Sequence, residues 1–265
     1  MSRLRLPTLL CALLACGAAR ADDDEFKYAL GLQLQNQPES PGSALRETKL
    51  KPVWALRWKR LRLSTGGGNA LMGFGSTIYG PGASADILKR DKLRLGISLR
   101  FDGGRNSGDA KATQGLPDVR RTLRGRLYAG YAITEDLQWS ASLSQDLLGR
   151  GGGVVLASDL SKRLMRDENS EWSVGSGFSA GNATQMRSYF GVRPEDTQAS
   201  GLPAYQPGAG LKDAWIGTSY TRMLHRNWVM QASAGVSRQM GPAADSPLTT
   251  RLTAANFAIS LAYRR

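Results

Sequence analysis

The chain has 265 residues, a formal net charge of +13, 31 glycines and two cysteines, Cys11 and Cys16. Both cysteines fall before Asp22, so the remainder can hold no disulfide, cysteine metal site or cysteine nucleophile. After Ala21 no run approaches the roughly 18 consecutive apolar residues that a membrane helix needs, and the length suits one large β domain.

Residues 1–21 have the three-part layout of a secretory signal peptide. Arg3 and Arg5 are followed by an apolar stretch from Leu6 to Gly17 and a small-x-small site at Ala19-Arg20-Ala21. The expected mature chain begins at Asp22. A competing reading places a lipid on Cys16 through Leu13-Leu14-Ala15-Cys16. Loss of Arg3, Arg5 and Arg20 lowers the charge from +13 to about +10. Export and the lack of a recognition module argue against nucleic acid as the partner of this basic chain.

From Phe26 onward the sequence alternates with a period of two, the signature of strands with one apolar face. Phe26, Tyr28, Leu30, Leu32 and Leu34 share one face of the first segment, and Leu93, Leu95, Ile97, Leu99 and Phe101 one face of a later one. Leu123, Leu127 and Tyr131 then oppose Arg124, Arg126 and Tyr128. Further segments carry Leu137, Trp139 and Leu143, then Trp172, Val174 and Phe178, then Trp228, Met230 and Val236. The chain ends on NFAISLAYRR, where Phe257, Ile259, Leu261 and Tyr263 again alternate with small or polar residues.

Strands are expected near 25–35, 52–58, 61–67, 70–79, 92–102, 121–133, 136–147, 154–165, 170–181, 211–223, 227–239 and 255–264. Gly66-Gly67-Gly68 can be an outer turn or a bulge, and a bulge would reduce twelve strands to ten. Long loops near 36–51, 102–120, 182–210 and 240–252 should line one rim, with short turns around Thr134-Glu135 and His225-Arg226 on the other. These features predict an all-β, transmembrane, antiparallel up-and-down barrel over 22–265, in contact with outer-membrane lipid. In such a barrel NFAISLAYRR pairs with FKYALGLQLQ to close the cylinder. The six tryptophans (54, 58, 139, 172, 215 and 228) all fall in strands, as an aromatic girdle requires.

The stretch Ser188 to Gly217 resembles the hallmark segment of the MltA-interacting protein (MipA/OmpV) family of outer-membrane proteins. The matching residues are Tyr189, Phe190, Gly191 and Val192, then Ser200, Gly201 and Leu202 with Ala204 and Tyr205, then Gly208, Gly210 and Leu211-Lys212-Asp213. A second match lies at Ala244 to Arg251, and GLPDVRRTLRGRLYAGY and QDLLGRGGGVVLASDL resemble the family's middle strands. The likeness spans nearly the whole mature chain and is most specific after about residue 185. Arg264-Arg265 at the terminus and a more basic first third depart from the pattern. The resemblance implies a Gram-negative outer-membrane scaffold that brings a murein lytic transglycosylase together with a bifunctional penicillin-binding protein. It offers no active site and no cofactor to transfer.

The residues themselves point to no catalysis. His225, the sole histidine, sits in a short turn without a nearby serine or acid, so its plain reading is a solvated turn residue. Gly149–Val155 has the glycines of a phosphate loop but lacks the Lys-Ser/Thr and precedes a strand. Arg62, Arg94, Arg100, Arg124 and Arg126 lie opposite the apolar faces and should point into the lumen. There they either attract anions or pair with inward acids such as Asp146 and Asp159. A small anion-preferring pore, or an adhesin using Gln198–Gly208, are the alternatives to a scaffold.

Overall fold

The computed structural model describes residues 26–65, 71–72 and 82–265. The expected signal peptide, its cleavage residues Ala19 and Ala21, Cys16 and the Gly66-Gly67-Gly68 run lie outside the described residues. Among those described, twelve antiparallel strands close into one barrel. They are β1 Lys27–Pro38, β2 Arg46–Trp58, β3 Leu61–Ser64, β4 Gly82–Arg90, β5 Leu93–Asp102, β6 Thr122–Ala132, β7 Leu137–Asp146, β8 Val154–Arg166, β9 Ser170–Gly181, β10 Gly210–His225, β11 Trp228–Gln239 and β12 Thr253–Arg264.

Each strand pairs with its neighbour in the chain, and β12 returns to β1 from Ala29 opposite Arg264 to Asn36 opposite Phe257. The seam continues to the last residue, where Arg265 and Tyr28 exchange backbone hydrogen bonds of 2.8 and 2.9 Å. Register follows the alternation. Leu30, Leu32, Leu34, Ile259 and Leu261 stand exposed on the outside, whereas Ala29, Gln33, Ser260 and Ala262 are buried within. One apolar face in hydrocarbon and one polar face around the lumen fix that register, because a one-residue slip would invert every side chain.

Two expectations need correction. The fourth strand is Gly82–Arg90 rather than 70–79, of which only Leu71 and Met72 are described, and those not as strand. A bulge between Asp86 and Leu88 breaks the two-residue period in β4 and hides the strand from a periodicity reading. The 36–51 segment is mostly sheet: β1 runs on to Pro38, β2 starts at Arg46, and the loop is residues 39–45 alone. These strand ends pass beyond the apolar band, so Glu47, Thr48 and Lys49 bear no greasy alternation to read.

The two rims differ. β1 begins and β12 ends at the rim whose connections are 59–60, 91–92, 133–136, 167–169 and 226–227. Segments 39–45, 103–121, 147–153, 182–209 and 240–252 crowd the opposite rim. His225 ends β10 and is paired with Trp228 across a two-residue turn. Trp58, Trp139, Trp172 and Trp228 are exposed on the outer wall toward the short-turn rim, where Trp228 meets Tyr263 edge-on at 5.8 Å and Tyr263 meets Tyr28 at 6.4 Å. This is the girdle expected at a lipid–water boundary. Trp215 departs from it: paired with Gly177 and Ser237, it turns inward and lies over Gly175 and Gly177, where any side chain would collide with the indole.

Candidate functional site

The lumen carries two ion-pair clusters. In the first, Asp86 receives Arg62 at 2.6 Å, Arg94 at 2.7 Å and the Tyr128 hydroxyl at 2.7 Å, joining β3, β4, β5 and β6. In the second, Arg124 bridges to Asp102 at 2.5 Å and donates to the Gly152 carbonyl at 2.6 Å. Arg100 lies opposite Arg124, and Arg126 opposite Ser98 and Ser144. Both face the lumen and both are engaged in further interactions.

The acids that hold Arg62, Arg94 and Arg124 differ from those anticipated. Asp146, opposite Arg124 in register, accepts the Thr122 hydroxyl and the backbone N–H groups of Leu148 (3.0 Å), Arg150 (2.6 Å) and Gly152 (2.9 Å). It braces the glycine-rich turn 147–153 and leaves Arg124 to Asp102. Asp159 faces the Trp215 indole and lies within electrostatic reach of Arg126, as anticipated. The acids Asp86 and Asp102 were not singled out from sequence. Asp102 closes a clean strand, but Asp86 is masked by the bulge beside it.

At the short-turn end an apolar group packs inside the cylinder against the wall formed by β10, β11, β12, β1 and β2. Leu71 is fully buried against Ala29, Val53, Val229 and Ala262, with Met72 and Met223 around it. Arg264 reaches across to the Leu71 carbonyl at 3.4 Å. The connection between β3 and β4 therefore passes inside the cylinder at Leu71. No periodicity rule could have placed it there.

The family-motif residues assemble at the other end. Asn182 caps helix α1, Ala183–Phe190, by accepting from the Gln185 N–H at 3.0 Å. This directs Met186 and Phe190 onto Ala243, in the short helix α3, Gly241–Ala244. Tyr189 turns down into the mouth, its hydroxyl 3.3 Å from both Asp102 carboxylate oxygens, while its carbonyl accepts from Arg105 at 3.2 Å. Gly191 admits no side chain because the Arg187 carbonyl occupies that space. Val192 is buried with Leu116 and Leu248 and bridges to Tyr205 through two backbone hydrogen bonds. The Ser200 hydroxyl bonds the Asp196 carbonyl, and Gly201, at φ +69°, ends helix α2, Thr197–Ser200, in a left-handed cap.

The second motif segment meets the first. Ser246 donates to the Phe190 carbonyl at 2.6 Å, and Tyr205 to the Pro242 carbonyl at 2.8 Å. A side chain at Gly210 would strike the Pro242 ring, whereas Gly208 faces open space. Arg251 and Thr250 then reach Gly42, and Glu39 accepts from the Lys111 N–H, so four loops are laced over one mouth. The motif residues thus act as closure, with a small hydrophobic core of their own.

Burial, and after it the charge of Asp102, pushes the Tyr189 phenol from 10.0 up to about 12. Its stabilising effect is complete below pH 10.0 and is lost as pH rises through about 12, because the unfolded phenol ionises first. Proteolysis of the Thr197–Gly201 turn should therefore accelerate across that window, and Tyr189→Phe should remove the acceleration. Equal alkaline sensitivity in the phenylalanine variant would contradict the assignment. Among the described residues no group of histidine, cysteine and acids is arranged to hold a metal.

The family model described as "MltA-interacting protein MipA" matches residues 30–265. No curated protein sequence matches the chain. Similar solved structures include an outer membrane channel from Pseudomonas putida F1, 13% identical, covering 94% of this chain and 98% of that one with a TM-score of 0.49. The NanC porin is 10% identical, covers 88% and 98%, and has a TM-score of 0.43. An anion-selective porin from Comamonas acidovorans is 9% identical, covers 91% and 99%, and has a TM-score of 0.41. A sealed sheet with an apolar outer wall, together with a family match over almost every described residue, identifies the chain as a Gram-negative outer-membrane barrel protein of the MltA-interacting protein MipA family.

Proposed function

We propose that this barrel is a non-enzymatic scaffold that holds murein-cutting and murein-building enzymes at the inner face of the outer membrane. The family's description supports the reading, since it is named for interaction with MltA. The observation that carries it is the covered mouth: laced loops over one end, with Leu71 inside the other and the lumen charges paired, favour a surface role over transport.

Short turns face the periplasm in such barrels, and murein lies on that side. Partner contact therefore falls to the short-turn rim rather than to the motif loops, which close the outer mouth. The connections 133–136 and 167–169 are the longest there and bear exposed Glu135, Asp136, Asp167 and Glu168. Affinity purification of the full chain from its own envelope should recover a murein lytic transglycosylase and a penicillin-binding protein. Replacing both turns with Gly-Ser should abolish recovery while the barrel stays folded. Recovery that survives replacement of all five short turns would sink the scaffold reading.

A further inference from the structure

Charge is unevenly distributed around the short-turn rim. Among the described residues, three successive connections on one side, together with the carboxyl-terminal end of β12, carry exposed Lys59, Arg60, Arg90, Lys92, Arg226 and Arg265 with a single exposed acid, Asp91. These positions are contiguous because the barrel order runs β10, β11, β12, β1, β2, β3, β4, β5. At a strand spacing of roughly 4.8 Å the arc extends for about 30 Å. The remaining two connections hold the four exposed acids, and Arg163 and Arg166 beside them are drawn to Asp136 and Glu171.

Depth decides what the cations can meet. Lys59-Arg60, Asp91-Lys92 and Arg226-Asn227 are two-residue turns, so they project hardly at all beyond the strands. Trp58 immediately precedes the first and Trp228 immediately follows the third, and the Lys59 ammonium stands 5.8 Å from the centre of the Trp58 ring. Indoles of this kind mark the headgroup level of a bilayer. The cations therefore sit at the depth of lipid phosphates, not out in the periplasm where a polymer or a folded partner would lie. A cation near an anionic lipid surface contributes about fivefold in affinity, and several act together.

We infer that the arc from β10 to β5 gathers anionic phospholipid headgroups of the periplasmic leaflet, whereas the acidic sector between β6 and β9 excludes them. The barrel then has a lipid-dressed side and a lipid-poor side. This inference does not rest on the scaffold reading.

The test uses the full folded chain in phosphatidylcholine vesicles doped with spin-labelled phosphatidylglycerol or spin-labelled phosphatidylcholine. The expected result is at least about fivefold enrichment of the anionic label in the immobilised boundary fraction. The combined substitution K59E/R60E/R90E/K92E should reduce that enrichment to near parity. Heat-modifiable migration on a denaturing gel verifies that the variant is folded, and K59Q/R60Q replaces it if it is not. Equal boundary fractions for both lipids in the wild type, or enrichment untouched in the folded variant, would overturn the inference. Binding to isolated murein sacculi that the variant loses while keeping its lipid preference would also overturn it, in favour of a polymer ligand.

Discussion

Gly31→Val is expected to leave the chain unable to form a closed, heat-modifiable barrel. Gly31 faces the lumen in β1, opposite Ala262 in β12, and a Cβ there would overlap the Leu261 carbonyl and the Ala262 backbone. Neither neighbour can retreat, because Ala262 is fully buried against Val229 and Leu71 on the far side. The seam joins opposite ends of the sequence, so loop-closure entropy opposes it until the rest of the register is right. A branched side chain there forces the two strands apart at mid-seam and exposes two hydrogen-bonding edges to hydrocarbon. Overpacking of this kind ordinarily costs about 1–3 kcal/mol, and exposed backbone edges in lipid add several more. The check is the fraction of protein with compact migration before heating, with Gly103→Val, whose Cβ would meet nothing, as the control. Compact migration at wild-type yield would contradict the seam geometry.

Planar-bilayer recordings of the wild-type protein should show no steady porin-like steps. Loops are laced over one mouth, Leu71 sits inside the other end, and the arginines that would confer anion preference are tied into the clusters around Asp86 and Asp102 or into other contacts. Gly181 and Gly210 are register partners, so a short turn can replace residues 183–208 without disturbing β9 or β10. That deletion removes α1, Tyr189 and Val192, and Leu71→Ala trims the apolar contact at the other end. Current should then rise by about tenfold or more and favour anions, since basic side chains dominate the uncovered wall. Steady large steps from the intact protein would instead support the pore, and silence from the doubly altered one would show that the midway ion pairs alone block passage.

The sheet was largely legible from sequence, because a lipid-facing wall demands an apolar residue at every second position and little else produces that pattern. Leu30 opposite Tyr263 and Leu34 opposite Ile259 are pairings that alternation could anticipate. It failed where the physics differs. The bulge at Ile87 places two outward residues in succession, and the strand end Arg46–Lys49 carries polar residues on both faces. The inward arginines were visible as a set, but their partners were not, since an alternating pattern gives the face of a residue and not its diagonal neighbour. Burial of Val192, Leu116 and Leu248 under the loops was equally hidden, because irregular segments have no period.

Trp215 is the indole that turns its ring away from hydrocarbon, beside Asp159 and above a glycine floor. Brominated acyl chains, which quench fluorescence on contact, have no route to it, while Trp58, Trp139, Trp172 and Trp228 lie directly in their path. Light emitted after such quenching comes chiefly from the inside of the cylinder, so the molecule carries its own optical probe of whether water or solute has entered.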